Sequence, residues 1–295
     1  MAEHLLYTQE ATGSSPVSPI FYFIGFMYNL KEIIEAIEVI APLTLAEDWD
    51  NVGLQIGSFD RKITRVLLAL EVKLETIKEA KSIGAELIIT HHPIIFKPIS
   101  SFNFSFYPVS LIKELIKADI AVYSAHTNLD KAHGGVNDTL AQIVGLGEVT
   151  SYPQVGGTIK IGKLKKVITF LDFIKSLKEK LNLKVIRFRG EGKEFVQKVA
   201  LCAGSGSSLI RDVISAEAEV FCTGELNYHA FLEADESGLK IIEIGHRESE
   251  TPILYRIKLY LKTLFPQLKI SVSKESHYLY NYYCLKKINH HKEGK

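Results

Sequence analysis

Apolar residues run in two rhythms along this chain. Leu30, Ile33, Ile34, Ile37 and Ile40 fall at helical spacing behind Asn29, a residue suited to capping, and the pattern stops near Pro42. The run 62–72 (KITRVLLALEV) is instead a β-branched, apolar run, which predicts a buried strand. The alternation goes on with a helix over 74–82 ended by Gly84, a strand over 85–90 and a helix over 109–117. A strand over 119–124 and a helix over 135–144 behind a Gly-Gly turn follow. Past residue 150 the pattern predicts a helix over 171–181 and strands over 184–189 and 196–203. The turn GSGSS (204–208) leads into a helix from Leu209, and strands over 219–223 and 240–244 enclose a helix near 228–237. A helix over 249–264 and a strand over 269–273 close the series. Strand–helix–strand order with short links predicts an α/β fold class: two α/β halves with mixed, largely parallel sheets flanked by helices.

The Gly, Ser and Pro content of 145–160 marks a boundary, giving a first half over 27–150 and a second over 151–295. Residues 1–26 lack any period. They read as a disordered leader or a misassigned start, with the folded protein beginning near Met27.

Composition narrows the function classes. With 295 residues, 46% hydrophobic and 23% charged, the chain can bury a core. The 35 Lys and Arg against 34 Asp and Glu leave a net charge of +1, which lacks the basic excess of a nucleic-acid partner. The apolar stretch 20–28 falls short of the about 20 residues a bilayer requires, and the residues before it hold no Lys or Arg. No membrane partner is expected, and the chain reads as soluble and cytoplasmic. Cys202, Cys222 and Cys284 are too far apart for a zinc knuckle and read as free thiols of a reducing compartment.

The chemistry-bearing residues gather at predicted strand ends, where ligands bind in open α/β sheets. His91 and His92 follow one apolar strand, His126 and Asp130 follow the next, and His246 with Glu250 follow a third. Neighbouring residues within a strand point to opposite faces, so His91 and His92 converge only if the chain turns at Pro93; otherwise they cap the strand end as loop histidines. His246 and Glu250 share a face if a helix starts at Gly245. Taken together, these His, Asp and Glu groups form a mixed set suited to Zn, Mn or Fe(II). Five ligands exceed the demand of one catalytic zinc, so two divalent metal ions sharing a carboxylate fit better. His126 is either a ligand or a partner orienting one. Glu225 and His229 are candidate acid–base groups. Gly204, Ser205, Gly206 and Ser207 either present backbone N–H groups to a phosphate or form a plain turn. The loop from Trp49 to Gly53 is expected near the cleft, and His290 and His291 read as a solvated tail.

DWDNVGLQIG, IITHHPIIF, AHTNLD-x-x-x-GGVND, LCAGSGSS, FCTGELNYHAFLEA and IGHRESE occur in that order. The ordered set resembles the Ngg-interacting-factor-three-like family, whose members are also called GTP cyclohydrolase 1 type 2 homologues. The resemblance implies a dinuclear metal centre in a cleft between two α/β halves, with the C-terminal segment returning to it. His91, His92, Asp130, His246 and Glu250 match the family's ligand positions. It further implies a homohexamer, a ring of dimers with metal sites facing inward. The short spacing between GGVND and LCAGSGSS leaves no room for most of the domain that some relatives insert. The implied activity is hydrolytic opening of the GTP imidazole ring: a metal-activated water attacks C8 and formate leaves. Glu225, His229 or His126 would move protons, and GSGSS or Arg247 would hold the triphosphate. The alternative is a non-catalytic metal-binding ring that acts as a scaffold or regulator through protein partners.

Overall fold

The structure, a computed structural model, describes residues 26–274. Nearly all of the 1–26 leader, Cys284, His290 and His291 lie outside the described residues. Strand β1 (Tyr28–Asn29) runs into helix α1 (Leu30–Ile40), where the Glu32 carboxylate accepts from the Asn29 backbone N–H at 2.8 Å. Strands β2 (Gly53–Ile56), β3 (Lys62–Ile63) and β4 (Arg65–Ala69) come next. Helix α2 (Leu74–Ile83) ends at Gly84, whose φ of 67° is a left-handed conformation that glycine adopts without strain. The first half continues with β5 (Leu87–Thr90), α3 (Val109–Lys117), β6 (Ala121–Ser124), α4 (Thr127–Lys131) and α5 (Val136–Val144).

Beyond Gly145 come β7 (Leu146–Ser151), β8 (Lys160–Thr169), α6 (Phe170–Lys180), β9 (Arg187–Arg189) and β10 (Phe195–Ser205). They are followed by α7 (Ile210–Ser215), β11 (Val220–Glu225), α8 (Tyr228–Glu236) and β12 (Lys240–Glu243). Helices α9 (His246–Glu250) and α10 (Pro252–Leu264) lead to β13 (Lys269–Val272).

Two main sheets result. The first has the order β13-β4-β5-β6-β2, with only β2 antiparallel to its neighbour. The second has the order β7-β8-β10-β11-β12-β9, parallel at its centre and antiparallel at β7, β8 and β9. The α/β class with helix-flanked sheets is therefore what the chain adopts, and the second sheet is less parallel than the periodicity predicts. The last strand, β13, crosses back to the first sheet. Among the described residues no helix is long and apolar enough to cross a membrane.

Local differences have physical causes. The run 62–72 is divided at Thr64: β3 pairs with β1, while β4 enters the sheet. The segment 145–160 is not all linker, because 146–151 hydrogen-bonds as β7 against β8. The helix expected from residue 249 begins at His246, and Pro252, which has no N–H to donate, restarts it as α10.

The central strands of both sheets are buried on two faces, and the alternation along a strand assigns each side chain to a layer. On β4, Val66 and Leu68 enter a central core, while Leu67 and Ala69 enter an outer core with Ile77 of α2 and Ile112 of α3. On β10, Val199 and Leu201 face the same central core, while Ala200 and Cys202 pack with Val213 of α7 and Ala230 of α8. Helices α1, α5, α6 and α10 contribute Ile33, Leu140, Phe173 and Ile257 to the central core, to which strands of both sheets also contribute. Strands β4, β5 and β6 thus lie beside one another in parallel, and their carboxyl ends share one edge.

Candidate functional site

Strand β5 stops at Thr90, which frees the next two residues from strand alternation. His91 and His92 then reach the same carboxylate: His91 Nε2 lies 3.6 Å from Glu250 Oε1, and His92 Nε2 lies 3.1 Å from Glu250 Oε2. Helix α9 places His246 one turn before Glu250, with Nε2 3.1 Å from Oε1. Asp130, on α4 beyond the end of β6, brings Oδ1 to 3.5 Å from His91 Nε2. The five residues carried by the HHP, NLD and GH-x-x-x-E motifs therefore form one cluster, with His91, His92 and His246 around Glu250 and Asp130 beside His91. His126 joins them, its ring centroid 5.1 Å from that of His91 and 5.5 Å from that of His92.

At each of the four clustered histidines an oxygen meets Nδ1 and leaves Nε2 for the cluster. His91 Nδ1–H donates to the Ala125 carbonyl at 2.9 Å. His92 Nδ1 is 3.6 Å from Glu71 Oε2, His126 Nδ1 is 3.0 Å from Asp50 Oδ1, and His246 Nδ1 is 3.2 Å from Glu225 Oε1. Partners of this kind fix the tautomer and the ring orientation of metal-binding histidines. Asp50 also accepts from the Thr127 backbone N–H at 3.0 Å and from its hydroxyl. Burial works against the Asp50 carboxylate, but the hydrogen bonds from His126 and Thr127 overcome it and hold its pKa at about 2.

The charges are strongly coupled. Burial disfavours charge on His92, yet Glu250 and Glu71 outweigh it and push its pKa up to about 10. His246 is pushed up to about 9 against its own burial, chiefly by Glu250. Burial also opposes ionisation of Glu250, but His91, His246 and His92 hold its carboxyl well below the usual carboxylate range. Asp130 goes the other way, because burial, reinforced by Glu250, raises it more than the histidines lower it.

A cation fits this donor set. Buried atoms His91 Nε2, Asp130 Oδ1 and Glu250 Oε2 make no hydrogen bond, a cost of about 1–3 kcal/mol each that a cation would remove. Donor atoms of His92, His246 and Glu250 lie within 4.8 Å of one another, and so do those of His91, His92 and His126. Imidazole nitrogens mixed with carboxylates suit Zn, Mn or Fe(II).

A cavity of about 820 Å³ opens beside the cluster, and His92, His126, Asp130, His246 and Glu250 line it. Trp49, Phe96, Lys131 and Ser205 line it too. The remaining sequence candidates fare differently. Glu225 reaches the site through the Nδ1 of His246, so its carboxylate orients that ring. His229 is exposed on α8, packs edge-on to Tyr228 and lies outside the cavity lining. Arg247 lines two smaller cavities beside Tyr255 and not this one. The Gly204 N–H donates to Ser249 Oγ at 2.9 Å and the Gly206 N–H to the Glu225 carbonyl at 3.1 Å, which takes these two groups from any phosphate. Ser207 Oγ accepts from Asn227, while Ser205 faces the cavity. Sequence reasoning missed Glu71 and Asp50. Glu71 fell inside the strand predicted over 62–72, whereas β4 ends at Ala69 and leaves Glu71 just past the strand end, as the candidate ligands are.

Comparison with known proteins gives a consistent result. Residues 28–277 match the family model described as Duf34/NIF3 (NGG1p interacting factor 3). A GTP cyclohydrolase 1 type 2 homolog of Clostridium perfringens is 41% identical over 84% of this chain and 97% of its own length. NIF3-like protein 1 of Drosophila melanogaster is 32% identical over 83% of this chain and 86% of its own. Among solved structures, a Bacillus cereus protein related to NIF3 superposes with a TM-score of 0.80 at 24% identity, covering 87% of this chain and 99% of that one. Reduced HcgD from Methanocaldococcus jannaschii superposes with a TM-score of 0.75 at 32% identity, covering 84% and 98%.

Proposed function

The chain belongs to the Duf34/NIF3 family, and from that premise we propose that it is a dinuclear-metal-dependent hydrolase acting on a purine nucleotide. The observation that carries this reading is the arrangement of four histidines, each with Nδ1 against an oxygen and Nε2 left for the cluster around Glu250. His92, His246 and Glu250 would hold one divalent cation. His91 and Asp130 would hold the other, with Glu250 shared between them. Cations bound there supply Lewis acidity and acidify water near neutral pH.

The chain's own residues supply the rest. The Asp50 carboxylate fixes the His126 ring through Nδ1, so His126 Nε2 is the nitrogen able to take up or return a proton at the cavity. Glu71 and Glu225 keep His92 and His246 in their orientations. Lys131, which is paired with Glu47 at 2.7 Å, is the cation placed to meet an anionic group in the cavity. The names of the bacterial relatives support a purine nucleotide as substrate, and GTP is the first to test.

The test is elemental analysis of the purified chain followed by incubation with GTP and detection of formate. About two divalent ions per chain and formate release that His91→Ala abolishes are expected. A metal-replete protein that leaves GTP and a broad nucleotide panel intact would turn the reading to the non-catalytic metal-binding scaffold.

A further inference from the structure

Two large aromatic side chains stand in the open at the cavity. Trp49 is 59% exposed and Phe96 is 48% exposed, and both line it. Their ring centroids are 5.7 Å apart with the planes inclined at 58°. Each ring lies 6.2 Å from the ring of His126, which in turn borders His91 and His92. The pair therefore continues directly from the candidate metal cluster.

The two rings come from separate loops that are fastened together. Asn51 Nδ2 donates to the Ile95 carbonyl at 2.6 Å, which ties the residue after Asp50 to the residue before Phe96. Gln55 Nε2 donates to the Asn51 carbonyl at 2.8 Å, and Asp50 anchors the same loop on His126 and Thr127. Exposed aromatic rings held this way are preorganised, so a ligand that covers them loses little to ordering. Their faces suit a flat, electron-rich ring better than a flexible aliphatic chain.

We propose that Trp49 and Phe96 form an angled stacking platform for a planar heteroaromatic ring of the substrate, one side chain against its face and the other against its edge, positioning it beside His126. The choice of a purine as that ring rests on the hydrolase reading above; the platform rests on the ring geometry. Trp49 and Phe96 are positioning residues, and Asn51 holds their loops in register.

The chain has a single tryptophan, so Trp49 emission reports on the platform directly. Chelator-treated full-length protein is titrated with guanosine and with GTP, and with ribose 5-phosphate as the control that lacks a base. Saturable quenching by guanosine and GTP, and none by ribose 5-phosphate, is expected. Phe96→Ala should weaken binding about ten-fold, the scale of one lost base–aromatic stack, and Phe96→Tyr should restore it. Equilibrium dialysis with Trp49→Ala should show a similar loss, largely recovered in Trp49→Phe. Far-UV circular dichroism confirms that each variant is folded. Unchanged affinity in both alanine variants, or emission of the free protein that acrylamide cannot quench, overturns the platform. The two readings separate in metal-loaded protein. Stacking without turnover sinks the hydrolase and leaves the platform standing. Turnover with an unchanged KM in Phe96→Ala does the reverse.

Discussion

Gly204 and Glu250 are in such close register that a Cβ on the glycine would lie 2.5 Å from the Glu250 Oε1. The same Cβ would lie 3.4 Å from His246 Nε2. A register shift between Cys202 and Ser205 puts this residue at an irregularity of the β10–β11 pairing, with φ at 63°. Gly204→Ala should therefore push Glu250 away from the histidines. We expect metal affinity to fall about ten-fold or more, by analogy with disturbed ligand orientation, and stability to fall about 1–2 kcal/mol from the left-handed backbone. Calorimetric metal titration and thermal unfolding measure both, and an alanine variant with unaltered metal affinity would refute the crowding.

The carboxylates that meet Nδ1 of His92 and of His246 can be neutralised without touching a candidate ligand. Glu71→Gln and Glu225→Gln should each weaken metal binding about ten- to hundred-fold, while Glu250→Gln should abolish it. Competition against a chromophoric chelator ranks the variants. If Glu71→Gln and Glu225→Gln bind as the parent does, the orienting role fails.

Loading should also release protons. His92 and His246 have pKa values raised to about 10 and about 9, so both are protonated at neutral pH until a cation displaces the proton. Apparent affinity should rise steadily from pH 6 to about pH 9. Titration in two buffers of different ionisation enthalpy counts the protons; a count of zero at pH 7 contradicts the expectation.

Lys160 is almost wholly buried on β8 and meets Asp138 of α5 at 2.8 Å. Burial works against the Asp138 carboxylate, but Lys160 and the Gly134 N–H hold its pKa below the usual range. Because that pKa is lowered, the stabilisation is present above pH about 4 and is lost as the pH falls below it. Lys160→Met should destabilise the chain by about 1–3 kcal/mol and flatten this acid limb. Urea unfolding at pH 3 to 7 tests it, and parallel pH curves for parent and variant would count against the pair.

Cys202 and Cys222 are both buried, and burial pushes the Cys222 thiol up to about 12 and that of Cys202 higher still. The thiolate is the reactive form, so neither should react with a disulfide reagent at pH 8 in the folded chain. At most one thiol per native chain should titrate, and all three after unfolding. More than one in the native state would mean that the cores around β10 and β11 open.

The candidate ligands were legible because they are ionisable residues in the segments that follow apolar strands: His91 and His92 directly after β5, Asp130 on the helix after β6, and His246 with Glu250 on the helix after β12. Helix α3 was legible to the residue, since its apolar positions Val109, Ile112 and Leu115 keep one face. Strand β8 was not, because Lys160, Lys163, Lys165 and Lys166 interrupt its apolar positions, and only the fold reveals that Lys160 is neutralised by Asp138. The carbonyl of Ala125 that orients His91 leaves no trace in sequence at all, since every residue carries one. The reach of Glu225 to His246 depended on two parallel strands lying side by side, a tertiary fact.

The pairing of β13 with β4 joins residues about two hundred positions apart, with Lys269 opposite Arg65. During synthesis, β4 must wait at the border of its sheet until the whole second sheet has left the ribosome. An unsatisfied strand border is a template for adhesion to other chains. The nascent protein is thus most vulnerable to aggregation in the interval before its last strand arrives, and chaperone protection should matter most then.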